Sequence, residues 1–115
     1  MQTKTGTIAH AQDPQGFRVH LQKEAWGHIA NDHPEMKNRL EDILQAIKTP
    51  TIIEADPIDP ESRRYYWLKP VAFGKYSRLY VMVVVRVDKE SVSGSIRTAH
   101  LIEKPKGGTV LWAKK

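Results

Sequence analysis

Cysteine is absent from the 115 residues of this chain, and no apolar run reaches the length of a membrane span. Without thiols, neither disulfide bonds nor thiolate zinc sites can hold the fold, and thiol catalysis is excluded. Residues 1–11 contain one lysine and no apolar stretch of signal-peptide length. We therefore expect a protein that is stabilised by packing, lies in the cytoplasm and makes no membrane contact.

Recognisable cofactor and metal motifs are also missing. The chain has no glycine-rich phosphate loop and no Gly-x-Ser-x-Gly elbow. His28 and His33 are five residues apart, which places them on different faces of a helix and excludes the His-x-x-x-His zinc geometry. The sequence thus predicts neither a metal nor a cofactor.

Charge is the clearest bias in the composition. The chain has 18 Lys and Arg against 13 Asp and Glu, a formal net charge of +5. An excess of cations favours polyanionic partners because binding releases phosphate counterions. RNA is therefore the expected partner, with an acidic protein inhibitor or antitoxin as a second. Charge alone gives roughly even odds that a basic protein of this size binds no nucleic acid, and it leaves the oligomeric state open.

The first half of the chain predicts a β-hairpin followed by two helices. Residues 5–11 and 17–21 suit short strands, and the Asp-Pro-Gln-Gly sequence at 13–16 is typical of a turn. Residues 23–31 have helical spacing, and residues 36–47 repeat apolar side chains with a period near 3.6. We expect Asp32 and Glu35 to form a capping box for the second helix.

The second half predicts a sheet. Residues 79–85 are apolar on both faces, as in a central strand, and Pro70 predicts a bend or an edge position. The expected fold class is α+β, with N-terminal helices packed on a curved, mainly antiparallel sheet of about four to five strands. We expect one domain over residues 1–115, with strands in 1–21, two helices in 22–48 and the sheet in 50–112. The strand candidates are 52–53, 63–73, 78–88, 95–103 and 109–112.

A scattered set of polar residues suits metal-free cleavage of RNA. Such cleavage needs one group that removes the 2′-hydroxyl proton, one that protonates the leaving oxygen, and cations that stabilise the phosphorane. The candidates are His28, Arg64, Tyr66, Lys69, Arg86, Arg97, Thr98 and His100.

Each candidate also has a structural interpretation. The sequence pattern favours a surface role for His28 by about two to one. At least two of the three aromatic rings at 65–67 are expected to pack in the core rather than to bind bases. Strand alternation places Thr98 and His100 on one face with Ile96, and Arg97 on the opposite face.

Several short motifs, in the same order, resemble one nuclease family over most of the chain from about residue 19 onward. The likeness is to the phage branch of the barnase, EndoU, colicin E5/D and RelE-like (BECR) nuclease superfamily. The chain departs from the family pattern at Arg97, where a small or apolar residue is commoner, and at His100, where an aromatic is expected. The matching segments are 26–29, 33–35, 47–50 with Ile52, 80–86, 96–100, 104–108 and 111–112.

The resemblance implies helices followed by a curved antiparallel sheet, and metal-independent RNase activity on the sheet face, often in toxins or phage effectors. It carries catalytic roles to His28 as general base or acid, Arg86 as the cation at the phosphorane, and Thr98 as the positioning hydroxyl. His100 is a second candidate for proton transfer. Arg64, Tyr66, Lys69 and Arg97 are expected to bind substrate.

Three functions remain open at this point. The chain is an RNase that cleaves by 2′-hydroxyl attack, a catalytically silent RNA- or protein-binding module of the same fold, or a protein-binding component of a phage or mobile-element assembly. An enzyme requires His28, a cation and Thr98 or His100 to converge on one concave patch, whereas dispersed positions favour the binding functions.

Overall fold

The computed structural model describes residues 6–115, so the predicted strand start at residue 5 lies outside it. Two strands, β1 (Thr7–Gln12) and β2 (Arg18–Gln22), form the predicted N-terminal hairpin. Helix α1 (Lys23–Asp32), a 3-10 turn (Pro34–Met36) and helix α2 (Leu40–Lys48) follow. The remaining strands are β3 (Ile52–Ala55), β4 (Ser62–Phe73), β5 (Tyr76–Asp88), β6 (Ser93–Ile102) and β7 (Thr109–Ala113).

All seven strands join one sheet in the order β1-β2-β6-β5-β4-β3-β7. The α+β class is confirmed, but the sheet has more strands than the expected four to five because the N-terminal hairpin joins it. β2 pairs with β6 in parallel, and the other pairings are antiparallel. β5 lies in the middle, as its apolar run predicts, and the β4 register shifts between Trp67 and Val71, around Pro70.

The helices cover one face of this sheet, here called the inner face. Ile43, Ala46 and Ile47 of α2 are fully buried, and Ile29 of α1 joins them. Tyr65 and Tyr66 are fully buried and Trp67 is partly buried, which confirms the packing role predicted for these rings. On the sheet, the inner face carries Val19, Leu21, Ile53, Tyr65, Val81, Val83, Val85, Val87, Ile96 and Ala99.

The predicted capping box is wrong. His33 precedes the 3-10 turn and makes no side-chain cap hydrogen bond, and α2 begins only at Leu40. Met36 is fully buried in the core, while the His33 ring stacks on His100 of β6. These two anchors hold residues 33–36 as a corner, so the helix cannot start there.

The turn between β1 and β2 curves the sheet. The Asp13 carboxylate accepts hydrogen bonds from the backbone N–H groups of Gln15 and Phe17 at 2.9 and 2.8 Å, and from the Tyr65 hydroxyl of β4 at 2.5 Å. Gln15 also donates to the Leu111 carbonyl of β7 at 3.4 Å. In a flat sheet β2 and β4 would lie about 14 Å apart, because β6 and β5 stand between them and neighbouring strands are spaced by about 4.8 Å. The direct hydrogen bond from Tyr65 to Asp13 spans this separation. The sheet therefore curls around the core.

No helix within residues 6–115 has the length and apolar character that crossing a membrane would require.

Replacing Ile43 by alanine should lower the free energy of unfolding by about 2–5 kcal/mol, because burial is lost and a cavity remains. Leu40→Ala should lower the free energy of unfolding by less, because Leu40 is only partly buried. Lys48→Ala, at the exposed end of α2, is the matched control and should change stability by under about 0.5 kcal/mol. Urea unfolding measures all three, and a loss below about 1 kcal/mol for Ile43→Ala would place that side chain outside the core.

Tyr65→Phe removes the hydroxyl that donates to Asp13 and leaves a buried carboxylate oxygen without that partner. We expect a loss of about 1–3 kcal/mol in the free energy of unfolding. Tyr76→Phe, at a half-exposed ring, is the control and should fall within about 0.5 kcal/mol of the wild type. Equal stability of the two variants would show that water replaces the tyrosine at Asp13.

Candidate active site

The outer face of the sheet, opposite the helices, carries polar side chains in rows that the strand registers define. One row runs across five strands, because each residue pairs directly with the next and so shares its face. Its members are His10 of β1, His20 of β2, Ser95 of β6, Arg86 of β5 and Ser62 of β4. The row therefore brings two histidines and an arginine onto one surface.

A cleft of about 820 Å³ lies over the middle of this row, where His20, Ser95 and Arg86 line it. A second cleft of about 440 Å³ adjoins it, and His20 and Ser93 line both. The larger cleft has three acidic and three basic residues, whereas the smaller one has Arg18 and no acid. The first is lined by His20, Pro60, Glu61, Arg86, Val87, Asp88, Lys89, Glu90, Ser93, Gly94, Ser95 and Arg97, and the second by Gln12, Gly16, Arg18, His20, Ser91, Val92 and Ser93.

His10 and His20 form a cross-strand pair. Their ring centroids are 6.0 Å apart and the rings are tilted by 51°. An imidazole accepts a proton when it is neutral and donates one when it is protonated, so two rings side by side have the chemical types that general acid–base catalysis uses. A phosphodiester placed against the pair would have both functions within reach.

Arg86 is the central cation of the row, and two carboxylates hold it. Its guanidinium lies 2.5 Å from Glu61 and 3.4 Å from Asp59, with the side chain 50% exposed. Hydrogen bonds from the Glu61 backbone and the Ser62 hydroxyl lower the pKa of Asp59, which keeps that carboxylate charged. A phosphate at Arg86 must therefore share the guanidinium with these two acids or displace them.

A β-bulge corrects the predicted alternation of β6. Ile96 pairs with Val85 and Thr98 pairs with Val84, so Arg97 is the additional residue between them. Ile96 consequently faces the core, and Thr98 and His100 face outward together. Arg97, expected on the face opposite Thr98, instead lines the outer cleft with Arg86.

The next two rows of the outer face contain Arg64 and Tyr66 of β4, and both side chains have structural contacts. Arg64 is 8% exposed and hydrogen-bonds the Tyr66 hydroxyl at 3.1 Å, Asp56 at 3.2 Å and the Gly107 carbonyl at 2.8 Å. Tyr66 is fully buried and accepts the Lys106 backbone N–H at 3.1 Å. Residues 103–108 therefore cover these side chains, and the predicted substrate contact has no support at Arg64 or Tyr66.

Close approach of this covering segment depends on a glycine. A Cβ at Gly108 would lie 2.7 Å from the Ala55 carbonyl oxygen and 3.1 Å from Arg64 Nη2. Neither the backbone of β3 nor the buried guanidinium can move away easily. Any other residue at position 108 would lift the segment off the outer face.

His100 stacks on His33 at the edge of the sheet. The ring centroids are 4.8 Å apart, the planes differ by 17°, and the Glu35 carboxylate lies 3.8 Å from His33 Nδ1. Burial, followed by the nearby charges of His33 and Lys106, lowers the pKa of His100. This favours the neutral imidazole and makes His100 a poor proton donor at neutral pH.

The remaining predicted site residues are dispersed. His28 is exposed on α1, whose next residue Ile29 enters the core on the inner face, and His28 does not line the cleft that contains Arg86. Lys69 is exposed near the far end of β4, with its ammonium 5.6 Å from the Trp67 ring. His28, Thr98 and His100 line neither of the two clefts described above.

Sequence reasoning missed His10 and His20, although a signal was present. The hairpin pairs residues whose numbers are equidistant from residue 15, which lies in the predicted turn, and 10 and 20 are such a pair. The turn sequence predicts the hairpin, and the register of the hairpin places the two histidines opposite each other. Within residues 6–115 no group of three His, Cys, Asp or Glu side chains could hold a metal ion.

No protein-family model and no curated protein matches this chain.

The lowered pKa of His100 predicts that acid weakens the fold. Between the lowered value and the ordinary 6.5, the unfolded chain binds more protons than the folded one. This contribution to stability is therefore complete above about pH 6.5 and is lost as the pH falls toward the folded value. His100→Phe keeps a ring on His33 and should show a smaller drop in unfolding free energy between about pH 7.5 and pH 5 than the wild type.

His28→Gln, at an exposed position on α1, is the control and should retain the wild-type pH dependence. Urea melts at the two pH values measure the difference. An identical drop in the His100→Phe variant would assign the acid sensitivity to another group.

Proposed function

We propose that this domain cleaves RNA without a metal, in a cleft on the outer face of the sheet. The observation that carries the proposal is the row in which His10, His20 and Arg86 share one surface, with His20 and Arg86 lining an open cleft and His10 paired with His20 beside it. The proposed reaction is of the class implied by the sequence resemblance to phage-type nucleases. The proposed proton-transfer groups are different: they lie on the β1–β2 hairpin, whereas the resemblance implied His28 on α1.

The chemistry follows from the two imidazoles and the cations. A neutral histidine of the pair removes the proton from the 2′-hydroxyl, whose oxygen attacks the adjacent phosphorus. The protonated partner gives its proton to the 5′ oxygen as the P–O bond breaks, which leaves a 2′,3′-cyclic phosphate. Arg86 and Arg97 offset the additional negative charge of the phosphorane. Ser95, between His20 and Arg86 in the row, is placed to donate to a phosphate oxygen.

A second candidate function is RNA binding without cleavage. Two observations favour it: Asp59 and Glu61 already hold the Arg86 guanidinium, and the acids lining the larger cleft equal the bases in number. Such a cleft attracts phosphate less strongly than one with free arginines, because each cation is partly neutralised. The RNA would then be bound mainly by cations elsewhere on the surface.

Purified protein, stripped of any bound inhibitor by unfolding and refolding, should fragment RNA in EDTA. His10→Ala and His20→Ala should each lower the rate by about a hundredfold or more, the usual scale for a positioned proton-transfer group. A 2′-deoxy substitution at the scissile nucleotide should abolish cleavage, since the nucleophile is then missing. Gel separation of end-labelled RNA measures all of these rates.

The His28→Ala variant tests whether proton transfer is carried out by His10 and His20, as the geometry indicates, or by His28, as the resemblance implies. We expect it to retain the wild-type rate, because His28 lies on α1 and does not belong to the row of His10, His20 and Arg86. A large loss in His28→Ala with none at His10 or His20 would instead support the family assignment. Intact RNA after incubation with the stripped wild type would turn the conclusion to the binding function.

A further inference from the structure

The far end of the β4–β5 hairpin extends beyond the strands on either side of it. β3 pairs with β4 only as far as Tyr66, and β6 pairs with β5 only as far as Tyr80. Residues 69–79, here called the arm, thus continue past both neighbours, and nearly all their described side chains are partly or fully exposed. The arm lies at the opposite end of β5 from the cleft at Arg86.

The arm presents aromatic rings to solvent. Phe73 and Tyr76 pair directly across the turn at Gly74 and Lys75, so both rings lie on the same side of the arm. They are 49% and 46% exposed, although rings of this size are usually well buried. Together with Leu79, Leu101 and Ile102 they line a cleft of about 500 Å³.

The charged residues of the hairpin before Asp88 are all basic. Residues 62–87 contain six Lys or Arg and no Asp or Glu. Lys69, Lys75 and Arg78 lie on the arm, and the Lys75 ammonium is 5.6 Å from the centre of the Tyr76 ring. Lys104 and Lys106 stand at the rim of the same cleft, where Glu35 and Glu103 are the acids.

Exposed rings among cations match the two requirements for binding an unpaired nucleic-acid strand. Bases stack on aromatic faces, and the backbone phosphates pair with Lys and Arg. A base-paired duplex cannot use such rings, because its bases already stack on one another. An acidic protein could pair with the cations, but the cleft at the rings is suited to a flat apolar group such as a nucleobase.

We propose that the arm binds single-stranded RNA, with bases stacked on Phe73 and Tyr76 and phosphates held by Lys69, Lys75 and Arg78. The inference rests on the proposed function in that RNA is the ligand. It adds a binding surface separate from the cleft at His20 and Arg86. Substrates would then need an unpaired stretch at a distance from the cleaved bond, because Tyr76 and Arg86 stand at opposite ends of β5, roughly 33 Å apart at about 3.3 Å per residue.

Fluorescence anisotropy with a labelled single strand of about a dozen nucleotides tests the arm. The strand carries 2′-O-methyl groups throughout, so it cannot be cleaved and the result does not depend on catalysis. The double variant Phe73→Ala with Tyr76→Ala should bind about tenfold or more weakly than the wild type. Affinity for a duplex of the same sequence should not change.

Two further variants separate stacking from a general disturbance of the arm. Phe73→Tyr with Tyr76→Phe keeps both rings and should retain wild-type affinity for the single strand. Lys75→Gln with Arg78→Gln should lower the dependence of log affinity on log salt by about 1.4, or about 0.7 for each lost phosphate contact. Lys114→Gln with Lys115→Gln is the matched charge control, and Ile58→Ala, at a side chain 90% exposed on another loop, is the apolar control.

These experiments can refute the proposal for the arm and the proposal for the cleavage site independently of each other. If the Phe73→Ala, Tyr76→Ala variant bound the single strand as tightly as the wild type, the proposal that the arm binds RNA would be wrong. This would hold even if the protein cleaved RNA through His10 and His20. The proposal that the arm binds RNA would also be refuted if the wild type did not bind the single strand at low salt. The exposed rings would then be interpreted as a contact surface for another protein. Loss of binding in the ring-deleted variant supports the arm even if no cleavage is observed.

Discussion

The hydrogen bonds at Asp13 are the constraint on which the shape of the sheet depends. One carboxylate organises the β1–β2 turn and also receives the Tyr65 hydroxyl from the inner face of β4. Gln15 of the same turn accepts from Arg63 and donates to the backbone of β7. Three parts of a curled sheet are thus tied at one place. Curvature encloses the helices on the inner side and leaves the polar rows on the outer side.

The division between the two faces explains where chemistry can occur. Alternation along β5 sends Val81, Val83 and Val85 into the core and Arg86 outward, and the neighbouring strands follow through their registers. Part of the outer face is then closed by residues 103–108, which bury Arg64 and Tyr66. One open cleft lies at the end with His20 and Arg86, and another lies at the end with Phe73 and Tyr76. The proposed cleavage site and the proposed arm occupy these two ends.

The candidate site was only partly predictable because it depends on register. Arg86 and Arg97 were identified as polar residues on strands, but the bulge that turns Arg97 into the cleft with Arg86 is set by pairing with β5. His10 and His20 come together through the hairpin, and His20 meets Ser95 only because β2 pairs in parallel with β6. Arg64 looked available in the sequence, yet its three hydrogen-bond partners come from three separate segments.

The sequence by itself determined the α+β class, the hairpin, both helices to within a few residues and the central position of β5, because these follow from local turn chemistry and hydrophobic periodicity. It also determined that residues 62–87 carry six Lys or Arg and no Asp or Glu. Tertiary structure decided the number of strands in the sheet, the corner at His33, and which polar residues meet. Those outcomes depend on contacts between residues far apart in the chain, such as Asp13 with Tyr65 and His33 with His100, and no local pattern encodes such contacts.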